Sequence, residues 1–125
     1  MITKYAVPLT ILFTYDEETK RWASLACEIT VGSDGETLDE AREMTKDAVS
    51  LWASFEIEEG AGPDLARPAS AELLGRFLEA PSEYRRVEYH TLLLTVEAEP
   101  KPKVLSAEFL PSVVKPVGCQ LPVAA

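Results

Sequence analysis

Residues 5–15, YAVPLTILFTY, alternate strictly between large apolar and small or polar side chains. Tyr5, Val7, Leu9, Ile11, Phe13 and Tyr15 fall on one side; Ala6, Pro8, Thr10, Leu12 and Thr14 fall on the other. A period of two is the pattern of a strand with one strongly apolar face. Pro8 has no N–H to give a ladder, which predicts an edge position or a bulge near the strand start. DEETK, residues 16–20, reads as a hairpin loop. RWASLACEITV, residues 21–31, alternates again. It predicts a second strand, with Ala23, Leu25, Cys27, Ile29 and Val31 on one face and Trp22, Ser24, Ala26 and Glu28 on the other.

GSDGETLDEA, residues 32–41, marks a change of period. Gly32 and Gly35 favour turns through their access to positive φ. Thr37 followed by Glu40 is a capping-box pattern, and Glu36, Asp39 and Glu40 place negative charge at a helix start. Leu38, Ala41, Thr45, Ala48, Trp52 and Phe55 then recur at helical spacing, widened by Met44, Val49 and Leu51. The pattern predicts a helix over 38–58, ending at the glycines at 60 and 62. Its apolar stripe needs a cover, and the apolar face of the hairpin supplies one. Residues 60–69 read as a loop. ASAELLGRFLEA, residues 69–80, predicts a short helix capped by Ser70. YRRVEYHTLLLTVE, residues 84–97, predicts the last long strand. Its phase changes between Val87 and Leu92, so a bulge near His90, or burial on both faces, is needed to reconcile it.

The predicted architecture is therefore α+β: a small antiparallel sheet of three to four strands covered by one long helix. Residues 1–97 form the domain, with an insertion at 63–83. Residues 98–125, with their five prolines, form an extended or partner-docked tail in which 104–110 could add a short strand. A sheet this small leaves open edges, which predicts a homodimer.

Charge and composition bound the function. The net charge is −9. Residues 34–59 hold nine acids and two bases, giving −7 over one segment. Such a domain repels a nucleic-acid backbone and suits a basic protein partner. No apolar run approaches the roughly 20 residues of a membrane helix, and the first residues lack a signal-peptide pattern; a cytoplasmic location is expected. Two cysteines and one histidine give too few ligands for zinc, and no metal or cofactor is expected. Cys27 with His90 as base is the one nucleophile pair on offer, and a structural His90 is the reading preferred. A metal-dependent hydrolase would have to converge Glu28, Asp34 and Asp39. Trp22, on the less apolar face of its strand, is a candidate anchor for a partner unless the second helix or the tail covers it.

The stretch GSDGETLDEAREMTKDAVSLWASFEIEEG, residues 32–60, following a strand hairpin, resembles the HicB family of antitoxins. Gly35, Thr37, Leu38, Glu40, Ala41 and Ala48 match the family's helix entry, and Trp52 stands where a bulky residue is typical. The resemblance covers residues 5–60, with 84–97 as the last strand. It implies a degenerate ribonuclease-H-like domain without nuclease activity, one that binds and blocks a small basic RNA-cleaving toxin. The chain departs from that pattern in three places. The turn ITVGSDG has no Pro-Gly-Cys core, 63–83 is inserted, and no basic helical segment after residue 97 offers DNA binding. The expected function is a non-catalytic protein-binding domain of this antitoxin kind, with Trp22, Glu28 and Phe109 as the candidate partner-binding residues. The alternatives are a structural homodimer and the metal-dependent hydrolase.

Overall fold

The computed structural model describes residues 2–60 and 68–111. Five strands and two helices follow one another as β1 (Ile2–Asp16), β2 (Arg21–Ala26), β3 (Asp34–Gly35), α1 (Leu38–Glu58), α2 (Ala71–Glu79), β4 (Arg85–Glu97) and β5 (Lys103–Pro111). The strands form one antiparallel sheet in the order β3-β2-β1-β4-β5. The fold is α+β, as the alternation implied, but the sheet has five strands rather than three or four. A helix lies on each face. The fifth strand comes from the segment read as a tail, whose part through Pro111 belongs to the sheet. Cys119 and the rest of the tail lie outside the described residues, as do positions 61–67 of the expected loop.

The β1–β2 loop has four residues, so Asp16 pairs with Arg21, Tyr15 with Trp22 and Phe13 with Ser24. Directly opposed residues in an antiparallel ladder share a face. Odd positions of β1 therefore lie beside even positions of β2. The face under α1 is built from Leu9, Ile11 and Phe13 together with Trp22 and Ala26, not from Ala23 and Leu25 as the sequence suggested. The even residues Leu92, Leu94 and Val96 of β4 complete that core. Phe13, Leu9, Ile11, Leu92 and Leu94 are fully buried. Each stabilises the fold by about 1.5–3 kcal/mol relative to exposure. On the other face, Leu12 and Cys27 pack under Leu74 and Phe77 of α2.

Of the two ways to reconcile the phase of β4, a bulge at His90 or burial on both faces, the bulge is absent. The β1–β4 register runs unbroken from Ile2 opposite Glu97 to Thr14 opposite Arg85. Even residues of β4 face α1 throughout, while Val87 and Tyr89 simply point to the other side. The one irregularity lies in the β4–β5 pairing, where Thr95 meets Ser106 and Val96 meets Val104.

The second strand is shorter than its alternation suggests. It ends at Ala26, and residues 27–30 make a tight excursion before Val31 bridges back to Ala26. Ile29 and Thr30 both donate their N–H to the Ala26 carbonyl, and Thr30 takes a φ of 54°. Gly32 and Gly35 have a different role from the one their turn propensity implies. A Cβ on Gly32 would lie 2.2 Å from the Ser24 carbonyl oxygen, and one on Gly35 would lie 2.4 Å from the Ala41 backbone nitrogen. They are small so that the chain can pass close to β2 and to the first turn of α1.

α1 starts as predicted. The Thr37 hydroxyl accepts the Glu40 N–H at 3.0 Å, while the Glu40 carboxylate accepts the Glu36 N–H at 3.1 Å. Its buried stripe is Ala41, Thr45, Val49, Ala53 and Ile57, small at 41, 45 and 53. That lets the helix approach the sheet closely enough for Thr45 to hydrogen-bond Ser24 of β2. The Thr45 hydroxyl also reaches the Ala41 carbonyl at 2.6 Å, so this buried polar group is fully used. Across the sheet, Ser70 caps α2 by accepting the Leu73 N–H at 3.3 Å. Neither helix is long and apolar enough to cross a membrane.

Candidate protein-binding face

The three residues singled out from the sequence do not meet at one exposed site. Trp22 is half-buried beneath α1 and packs on Tyr15, ring centroids 5.4 Å apart. Phe109 sits on β5, also half-buried against the α1-side core, with its ring 6.3 Å from that of His90. Glu28 is the clearest correction. It lies in the 27–30 excursion, not on the outward side of a strand, and it is buried. Its carboxylate accepts the Thr10 backbone N–H at 2.7 Å and the Thr10 hydroxyl at 2.9 Å. Thr10 lies where β2 has left β1, so its N–H has no strand partner on that side. Glu28 supplies the acceptor that a neighbouring strand would otherwise provide. A carboxylate used in this way has no surface to offer a partner.

The same geometry separates the three carboxylates of the hydrolase alternative. Asp34 is paired with Arg21 at 3.2 Å, Asp39 with Arg42, and Glu28 with Thr10. Among the described residues no three metal-ligating side chains are grouped to hold an ion. The nucleophile pair is divided as well. Cys27 is buried on the α2 side of the sheet, while His90 is buried on the α1 side with Nε2 on Glu88 at 3.0 Å. Glu88 also takes two hydrogen bonds from Arg42, one of them at 2.8 Å from Nε. This cluster ties β4 to α1. The Arg42 bonds hold the Glu88 carboxyl below its ordinary range, and the same contact raises the Arg42 guanidinium.

What the structure does expose is a second apolar stripe on α1. Met44, Leu51 and Phe55 are 46%, 74% and 59% accessible. With Ala48 they step by four, three and four residues, which keeps them in one row along a helix. From Met44 to Phe55 the row runs about 16 Å at 1.5 Å per residue. The sequence reading placed Met44, Leu51 and Phe55 on the covered side. The helix is apolar on two sides, and only the smaller stripe is buried. Spacing alone does not tell the two apart; the small residues at 41, 45 and 53 were the available signal, because a helix packed hard on a sheet needs them.

The surroundings of the row are acidic. Glu40, Glu43, Asp47, Glu58 and Glu59 are all exposed along or beside it. The helix has two bases. Arg42 is committed to Asp39 and Glu88, and Lys46 lies 3.4 Å from Glu43. The face is thus apolar along its centre and negative at its border. No match to this chain was found among family models, curated proteins or solved structures.

Proposed function

We propose that this chain is a non-catalytic protein-binding domain whose α1 face captures a small basic protein. The finer form of the proposal is a HicB-like antitoxin: a ribonuclease-H-like domain without nuclease activity that neutralises a basic RNA-cleaving toxin. The observation that carries the reading is the exposed Met44–Leu51–Phe55 row with its acidic border. Large apolar side chains exposed in one contiguous row mark interaction sites. An anionic rim selects a cationic partner and speeds its encounter. The hairpin, glycine-containing turn and long helix that carry the family resemblance are present in the same order, which supports the finer form.

Two experiments test the two levels. A basic amphipathic peptide with apolar residues at positions i, i+3 and i+7 is titrated into the labelled chain, and anisotropy is read at low and high salt. Binding that weakens with salt and drops about tenfold or more in Leu51→Glu supports the face. Equal binding by Leu51→Glu rejects it. For the finer form, the chain is co-expressed with any small basic protein whose gene adjoins its own. Growth arrest relieved by the wild type and not by a Leu51→Glu, Phe55→Glu double variant is the expected result. A neighbour that causes no arrest, or relief that is identical in both variants, removes the antitoxin reading.

A further inference from the structure

The exposed row of α1 has two unlike borders. Met44, Ala48, Leu51 and Phe55 follow one another at four, three and four residues, the spacing of a seven-residue helical seam. On the sheet side the seam is flanked by Thr45 and then Trp52, ahead of the cap residue Glu59. Thr45 is buried and Trp52 packs on the core. On the solvent side it is flanked by Glu40, Asp47 and Ser54, seven residues apart. Glu40 and Asp47 are exposed, and among the described residues Asp47 is in no ion pair. Arg42 turns away from this border to Glu88 on β4. One border is therefore closed and apolar, and the other is open and anionic.

These borders determine what kind of element can cover the row. The main chain of α1 is spent on its own hydrogen bonds. An extended segment laid on it has no ladder to join and would bury its own N–H and C=O groups unpaired. A helix satisfies its backbone internally, and its side chains interdigitate with a seam of this spacing when the two axes cross at about 20°. Resting on the α1 reading above, we propose that the occupant of this face is a single amphipathic helix of the partner, with cations along one flank only. The flank beside Glu40 and Asp47 carries Lys or Arg at seven-residue spacing. The flank beside Trp52 is apolar, because a charge placed there loses its water against the sheet without gaining a counter-charge. Three turns of helix cover the row, whose length is about 16 Å. A second copy of this chain is a poor occupant: it brings an acidic border of its own on a molecule of charge −9. The contact is small among specific interfaces, so the isolated helix binds weakly.

The full chain is titrated into three fluorescent peptides of about 16 residues, and anisotropy is read. The first is a helix with a leucine seam and lysines along one flank. The second has the same composition with its lysines moved to the face opposite the seam. The third is the first with two central prolines, which break the helix. The flank peptide is expected to bind about tenfold or more tighter than either of the others, and to gain helical circular dichroism on mixing. Asp47→Lys, a change at an exposed residue, weakens the flank peptide about threefold or more, and exchanging the peptide's lysines for glutamates restores binding to that variant. Leu51→Glu abolishes binding of the flank peptide. If the proline peptide binds as well as the flank peptide and both are lost in Leu51→Glu, the helix is overturned while the α1 face stands. Equal binding of the flank and opposite-face peptides, or no effect of Asp47→Lys, overturns the one-sided flank. Binding that ignores Leu51→Glu, or no binding by any of the peptides, overturns the helix and the face together. A dimer of the chain alone in sedimentation velocity that dissolves in Leu51→Glu assigns the row to a second copy and overturns the proposal as well.

Discussion

Replacing Glu28 by alanine tests the account of this molecule at its least expected point. The carboxylate is buried and accepts both the Thr10 N–H and the Thr10 hydroxyl, at 2.7 and 2.9 Å. Thr10 itself is fully buried. Each hydrogen bond to a charged acceptor contributes about 1.5–3 kcal/mol, and a buried donor left unpaired loses its hydration as well. Both bonds end on one carboxylate, so their contributions overlap. A net loss of about 3 kcal/mol is expected, not twice that. In a chain of this size that lowers the melting midpoint by about 10 °C. Urea titrations followed by circular dichroism should show a lower midpoint with an unchanged slope. Glu28→Gln keeps an oxygen for the Thr10 N–H and turns its amide toward the hydroxyl, which then accepts; a loss of about 1 kcal/mol is expected. Thr10→Val costs about 1 kcal/mol alone and nothing further in the Glu28→Ala background. If Glu28→Ala stays within about 0.5 kcal/mol of the wild type, or if glutamine is as damaging as alanine, the carboxylate does not act as the edge acceptor described.

Gly35→Ala forces a Cβ against the backbone of Ala41 and Glu40, 2.4 Å from the Ala41 nitrogen and 2.8 Å from the Glu40 carbonyl carbon, so the β3–α1 joint has to shift. A loss of about 1–3 kcal/mol is expected in the same urea assay, and one below about 0.5 kcal/mol means the joint yields freely. Leu51→Glu and Phe55→Glu change exposed side chains, so stability should stay within about 0.5 kcal/mol while peptide binding falls; a melting loss matching the binding loss would mean that the stripe is structural. The Glu88 carboxyl is held below its ordinary value of 4.5, chiefly by Arg42. A carboxyl depressed in the folded state stabilises above its unfolded value, and that contribution is lost as pH falls through the folded one. Urea midpoints should therefore fall with acid below that range, and the Glu88 part of the fall should be smaller in Arg42→Met; an identical acid limb in both proteins contradicts the assignment.

Local chemistry made the helices legible. Thr37 and Ser70 offer side-chain oxygens to unpaired N–H groups, and both cap the helices their sequences announce, so the start of α1 at Leu38 and of α2 at Ala71 follows from a few neighbouring residues. The long strands were legible for the same reason, since alternation over ten or more residues permits little else. Pro8 was read correctly as an edge residue. It lies on the half of β1 that β2 does not reach, on the side where Thr10 must find Glu28.

Tertiary structure decided what covers what. The four-residue loop sets odd positions of β1 beside even positions of β2, so that Ser24 and Trp22, not Leu25, go under α1; hydrophobicity alone points the other way. Alternation continued through Cys27 and Glu28, but the chain leaves the sheet there because Thr10 can be satisfied by a carboxylate instead of a strand. In α1 both apolar stripes have helical spacing. The one with Ala41, Thr45 and Ala53 is buried because close packing on a sheet favours small side chains, leaving Met44, Leu51 and Phe55 in water. Periodicity is a property of a segment and can be read from it. Which of two apolar faces is buried depends on the shape of the surface it meets, and that surface exists only once distant segments have paired.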